Sequence, residues 1–442
     1  MSMTVALASI VALGMWTGLA RAVFGRPIYA AVLDAAVVGL LVVAAVSAYR
    51  SPNRRRLLPI DVLLIAYVAI SVIQMFNPNV PSVLVGLEGL RKTAFMVVGY
   101  GIVRLAPAID PERFLRIVAV GMIPALLWSI RQFIAPSTLE LDIIAGSGTS
   151  PISFHSGTVL RAFAPTASPF HLGILAGSAA LIAVALANWR SIRWAAVAVI
   201  AATALGLSLT RANIIATIAA LGVLALAGLW IDRRPRIAGL ATAAAGVAVV
   251  AAILASSSQP PYVLPGSQGP SPGTPGGPGG GPGPIVIPDP LADRSLQFRF
   301  QFWEKQLAAA AERPLIGYGT SSAADGFDRL YAGSTGQNFE PHSIFLKILI
   351  EQGVVGFVIF LAFLGSLAWI ELRRLRSGGV FSPVALAILV LVCVSGLTGP
   401  MLDAYPFNLL FWSVAGMAVR LAEERPAHQG APALPAPAET AA

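Results

Sequence analysis

Apolar runs of about 18 or more residues recur along this 442-residue chain from its first segment to its last. A helix of that length spans the hydrocarbon layer of a bilayer. Lipid tolerates only helices and closed barrels, because each segment must satisfy its own backbone N–H and C=O groups. The chain therefore reads as an all-α polytopic membrane protein. Charged residues make up 12% of it and hydrophobic ones 56%, where a soluble chain carries roughly 25% charge. Disordered, collagenous and disulfide-rich secreted folds are excluded. The single cysteine, Cys393, permits neither an intrachain disulfide nor a cysteine metal cluster and reads as a small core residue.

Breaks at charged and Pro-rich positions divide the chain into twelve candidate spans, centred near residues 12, 38, 68, 97, 124, 178, 202, 220, 246, 362, 390 and 412. The first run has no basic residue before it and leads into a second span, so it reads as an anchor; cleavage near Ala20 to Ala22 is the alternative. With the N-terminus in the cytoplasm, 17 of the 30 Lys and Arg residues fall in inner segments, most of them in short loops. Short loops decide orientation, so both termini are placed inside. Those inner segments then account for the whole net charge of +9. The excess that suggests a polyanionic partner is thus an orientation signal, and the outer face is nearly neutral.

Four regions follow. Residues 1–256 form an N-terminal membrane bundle of nine spans, and residues 257–342 a large extracytoplasmic loop. Residues 343–422 form a C-terminal bundle of three spans, and 423–442 a disordered cytoplasmic tail. Within the loop, residues 259–290 hold 11 Pro and 9 Gly and can build no core. That stretch is a tether or spacer, or a length-variable insertion. Residues 293–313 then read as an amphipathic helix bearing Phe298, Phe302 and Trp303, which Pro314 stops ahead of a Gly317/Gly319 turn.

No nucleotide-binding signature and no metal-ligand spacing is present, and the four histidines are scattered. What remains is a set of polar residues at the outer ends of spans, where an ionisable group beside hydrocarbon is a functional candidate. Arg211 lies at the sharp turn between the seventh and eighth spans, Arg299 four residues before Trp303, and Arg161 ahead of Pro165 and Pro169. Each also has a plainer reading, as a snorkelling side chain, a surface ion pair or an interface anchor. His342 opens Pro341-His342-Ser343-Ile344-Phe345-Leu346 at the outer boundary, where an imidazole suits a general base for a sugar hydroxyl. A lone His is otherwise structural. Glu351 is expected deeper along the same helix, in a structural pairing, and Asp34 alone sits mid-span.

In order, Arg211, Arg299-x-x-x-Trp303, Pro314-Leu315-Ile316-Gly317-Tyr318-Gly319, His342-Ser343-x-x-Leu346 and Glu351-x-Gly353-x-x-Gly356 resemble the O-antigen ligase and Wzy-type polymerase superfamily. The likeness is strongest over residues 290–372. Ser343 stands where Asn is more common, and the Pro/Gly insert is unusual for the family. The resemblance implies a GT-C-type glycosyltransferase in the cytoplasmic (inner) membrane with its active site outside. It implies transfer of a glycan from an undecaprenyl diphosphate carrier to a glycan, lipid or protein acceptor, without metal, nucleotide or other cofactor and without nucleic acid. His342 corresponds to the family's catalytic His, and Arg211 and Arg299 to its diphosphate-binding arginines, with Arg161 as a further candidate. A transporter or lipid flippase is the alternative, weighed down by the absence of a detectable repeat between the halves.

Overall fold

The computed structural model describes residues 2–51, 56–146, 154–156, 159–189, 191–232, 235–258, 294–323, 343–377 and 379–424. The chain opens with helices α1 (Met3–Leu13) and α2 (Thr17–Phe24), joined through a 3-10 turn, then α3 (Arg26–Arg50), α4 (Pro59–Gln74), α5 (Val83–Thr93) and α6 (Val98–Leu105). Next come α7 (Pro111–Ile134), α8 (Thr138–Gly146), α9 (Pro169–Trp189), α10 (Arg193–Leu207), α11 (Arg211–Asp232) and α12 (Pro235–Ser258). Helices α13 (Arg294–Glu312), α14 (Ile344–Arg374), α15 (Phe381–Gly396) and α16 (Phe407–Glu423) complete the fold. One small departure from an all-α chain is a two-stranded antiparallel pairing of His155–Ser156 with Val159–Leu160.

All twelve expected centres fall within helical segments. Among the described residues, seven helices are long and apolar enough to cross a membrane. The helices Pro59–Gln74, Phe95–Leu105, Arg193–Leu207 and Phe381–Gly396 are apolar but shorter. Helix α5 was not anticipated as a separate element. Its start is explained by Ser82, whose hydroxyl accepts the Val85 N–H at 3.3 Å. Capping likewise fixes α4, where Pro59 holds the first turn and Asp61 reaches back to accept the Leu58 N–H at 2.8 Å.

Helix α9 is the hub: 89% of its apolar window is buried, and α10, α11, α7 and α15 pack around it. In lipid, helices gain from close approach more than from the hydrophobic effect, and small residues permit that approach. A Cβ on Gly177 would stand 2.3 Å from Thr217 Oγ1, and one on Gly206 would stand 2.3 Å from the Ala248 carbonyl oxygen. Helix α3 is peripheral, with 11% of its window buried, and exposes Val32 and Val42. Such side chains match a hydrocarbon solvent.

Asp34, on α3, has an ion-pair partner. Arg91 from α5 approaches it with Nε 2.5 Å from Oδ2. A carboxylate near the start of an apolar helix is costly when bare; the ion pair offsets that cost and ties the peripheral helix to α5.

At one end of the bundle, Arg104 binds Asp61 at 2.8 Å and Glu423 at 2.7 Å, while Arg420 donates to the carbonyls of Val103, Ala106 and Pro107. Asp61 and Gln74 sit at opposite ends of α4, about 20 Å apart at 1.5 Å rise per residue. The Pro314–Gly319 and Glu351–Gly353 motifs lie at the Gln74 end.

Candidate active site

Helix α14 is broken. Gly353, with φ +64° and ψ −168°, takes a conformation reserved for glycine and divides the helix into an N-terminal half and a longer C-terminal segment. The segment that follows α13 fills the break. Tyr318 and Gly319 donate their backbone N–H groups to the carbonyls of Ile350 (2.8 Å) and Glu351 (3.0 Å). In the other direction, Val354 and Val355 donate to the carbonyls of Pro314 (2.7 Å) and Leu315 (3.3 Å). Gly317, at φ +69°, lets the two backbones meet, since a Cβ there would lie 2.4 Å from the Ile350 oxygen. The Pro314–Gly319 and Glu351–Gly353 motifs are therefore two halves of one structural unit.

Side chains from three helices lock this unit. Glu351, fully buried, accepts the Ser321 N–H at 3.1 Å and lies 3.4 Å from the Thr93 hydroxyl on α5. From α4, Gln74 Nε2 donates to the Ile316 carbonyl at 2.5 Å, and the Gln74 carbonyl accepts the Thr320 N–H at 3.1 Å. Gln352 Nε2 donates to the Ser71 hydroxyl at 2.8 Å. These contacts make Glu351 a structural anchor, the role its position suggested.

The opposite end of the N-terminal half-helix is pinned as well. Ser343 is the N-cap of α14, accepting the Leu346 N–H at 3.5 Å and donating to the Gly396 carbonyl at 3.1 Å. Ser, like Asn, is a strong cap, which accounts physically for the residue found there. One turn further, Lys347, 1% exposed, reaches Asp403 with Nζ 2.5 Å from Oδ2. His342 itself, immediately before the cap, lies outside the described residues. Arg299 lies on α13, which packs against α14, but its side chain is outside the described set.

Two of the other candidates lie on segments joined by a backbone hydrogen bond. Ala162, next to Arg161, donates its N–H to the Leu207 carbonyl at 3.0 Å, and after Leu209 at φ +50° the chain turns into α11 at Arg211. Gln132 of α7 holds the same segment, accepting the Phe163 N–H at 2.9 Å. Helix α9 starts beside this turn, where Asn213 Nδ2 donates to the Phe170 carbonyl at 2.9 Å. The Phe170 ring in turn abuts Gly399, three residues beyond the carbonyl that Ser343 holds. The Arg161 segment, the Arg211 turn, the α9 N-terminus and the Ser343 cap thus share one end of the bundle.

The sequence reading did not single out Lys347, Asp403, Ser168 or His171. Only three lysines occur in the chain. A lysine one turn into an apolar helix was therefore a usable signal, whereas its partner 56 residues away was not. Ser168 and His171 meet with Oγ 2.5 Å from Nδ1. Beside the Arg161 segment, Glu140 of α8 is fully buried and bound by Trp128 Nε1 (2.8 Å), the Ser137 N–H (2.7 Å) and Arg131 (3.1 Å). Burial raises its pKa, but the hydrogen bonds from Ser137 and Trp128 outweigh that and hold the carboxyl below its usual range. A cavity of about 820 Å³ lies at the far end, beside Arg104 and Glu423.

No curated protein matches the chain. Residues 196–361 match the family model of the O-antigen ligases, a segment that runs from α10 through the break in α14 and so takes in Arg211, Arg299, His342, Lys347 and Glu351. Over that segment the chain is similar to the O-antigen ligases.

Proposed function

We propose that this protein is a membrane glycosyltransferase of GT-C type. It joins a glycan carried on undecaprenyl diphosphate to an acceptor hydroxyl at the outer face of the cytoplasmic membrane, as a ligase or as a polysaccharide polymerase. The observation that carries this reading is the O-antigen ligase match over residues 196–361, a segment that holds the Arg211 turn and the half-helix capped by Ser343. The topology that goes with it has twelve spans and both termini inside, with residues 257–342 as an extracytoplasmic loop between bundles 1–256 and 343–422.

In this mechanism His342 takes the proton of the acceptor hydroxyl. The hydroxyl oxygen forms a bond to the anomeric carbon, the bond from that carbon to the diphosphate oxygen breaks, and the electron pair leaves on the carrier diphosphate with inversion at carbon. Arg211, Arg299 and Arg161 hold the diphosphate and stabilise the charge that grows on it, a task suited to the planar guanidinium fork. No metal is required in this scheme.

A transport reading draws on the broken helix and its buried charges. Against it, the Ile350 and Glu351 carbonyls and the Val354 and Val355 amides are bound by the adjacent loop rather than presented to a passing ion. The deciding experiment is transfer from extracted lipid-diphosphate-linked glycan by the purified protein. His342→Ala should abolish turnover while leaving the melting temperature unchanged, and wild-type-like turnover by that variant would remove the base assignment. Arg299→Lys should also impair transfer, because a point charge cannot reproduce the fork.

A further inference from the structure

His171 stands at the start of α9 with its imidazole held in one orientation. Ser168 caps the helix, its hydroxyl oxygen accepting the His171 backbone N–H at 3.3 Å. Having accepted there, the hydroxyl has its own proton to give, and the ring nitrogen Nδ1 lies 2.5 Å from it. In the tautomer where that proton is given to Nδ1, the ring hydrogen sits on Nε2. The Phe170 ring meets the imidazole edge-on, with centroids 6.4 Å apart. The ring is partly exposed, and Nε2 makes no hydrogen bond among the described residues. An imidazole oriented through Nδ1, with Nε2 unbonded among the described residues, has a nitrogen left for a ligand.

Its surroundings indicate which ligand. The neighbouring Phe170 carbonyl is bound by Asn213, two residues after Arg211, and Arg161, which follows the strand Val159–Leu160, leads into the same loop. Arg21, on α2, lies within electrostatic range of the imidazole. Helix α2 is fastened there by the Gly18 N–H, which donates to the Pro165 carbonyl at 3.0 Å. An N–H donor at a helix N-terminus, among elements that carry three arginines, favours an anionic oxygen.

Building on the glycosyltransferase reading, we infer that His171 is a further binding residue of the reaction, its Nε2–H donating to a diphosphate oxygen of the lipid-linked glycan. It would act beside the arginines and not as the base.

The test uses the full-length protein in nanodiscs with extracted lipid-diphosphate-linked glycan as donor and inorganic pyrophosphate as competitor. His171→Leu should raise the donor KM and the pyrophosphate inhibition constant together by about tenfold, the size of one lost charge-assisted hydrogen bond, with kcat and melting temperature little changed. His171→Gln, which sets an amide N–H near the Nε2 position, should recover both constants to within about threefold. Wild-type constants in the Leu variant overturn the assignment. So does a raised donor KM with unchanged pyrophosphate inhibition, which would point to a sugar oxygen. If the Leu variant does not fold, Ser168→Ala decides, because it frees the ring but keeps it: a parallel rise in both constants supports the inference and wild-type constants refute it. Wild-type protein that performs no transfer removes the underlying reading; wild-type transfer with an indifferent His171 removes this inference alone.

Discussion

Glu351 takes the Ser321 backbone N–H on Oε1 at 3.1 Å, so a carboxylate beside the break in α14 holds the same loop whose backbone repairs that break. The consequence is mechanical. The half-helix from Ile344 to Gln352 is fixed at its far end by Glu351 and the loop, and at its near end by Ser343 and Lys347. Its N-terminus, the point from which His342 departs, cannot shift independently of α13, α4 or the α15–α16 connection.

Gly353→Ala should be among the most damaging single substitutions in the chain. The backbone region it occupies costs a non-glycine residue about 1–3 kcal/mol. The new Cβ would also stand 2.3 Å from the Leu315 oxygen and 2.5 Å from the Ile316 nitrogen, both backbone atoms with no freedom to yield. Thermal unfolding in detergent should show a fall of several degrees, with Gly365→Ala, whose Cβ meets open space, as the neutral control.

Hydropathy made the helices legible because each apolar run must become a helix in lipid, and the twelve centres follow from that alone. It could not show the break. Residues 344–374 scan as one long span, since hydropathy does not register φ at Gly353. Long-range partners were equally hidden. Nothing local to Asp34 points to Arg91, 57 residues on, nor anything near Lys347 to Asp403. Motif order did locate the Arg211 turn and the Ser343 cap, while His171 looked scattered because its partner is one of many serines.

Replacing Glu351 tests whether its hydrogen bonds or its charge matter. Glu351→Gln keeps an oxygen able to accept the Ser321 N–H and should cost about 1 kcal/mol. Glu351→Ala leaves that buried amide and the Thr93 hydroxyl without their acceptor and should cost about 3 kcal/mol. Comparing unfolding midpoints of the two variants checks the ordering; equal losses would mean that the charge itself is what the site requires.

Glu140 supplies a pH dependence. Its carboxyl is held below the unfolded value of about 4.3, so the stabilisation is fully present above that pH and fades as pH falls through the lower folded value. Wild-type melting temperature should therefore drop on acidification below about pH 4. Glu140→Gln should melt lower than wild type at neutral pH, having lost the charged acceptor of Trp128 and Ser137, and should lose less on acidification. Parallel melting curves for the two proteins across that range would contradict this.

Lys347 and Asp403 give the sharpest stability contrast. Removing one member of a buried ion pair strands the other charge and costs about 3–5 kcal/mol, whereas replacing both by apolar residues is often neutral. Lys347→Met should therefore unfold well below wild type, because Asp403 is left beside an apolar neighbour. The double variant Lys347→Met/Asp403→Leu should recover most of that loss in a melting experiment. Transfer activity need not recover with it: the apolar pair restores packing but not the 2.5 Å bond that sets the half-helix one turn beyond Ser343. A double variant that is both stable and fully active would show that the bond does not set the position of the α14 N-terminus.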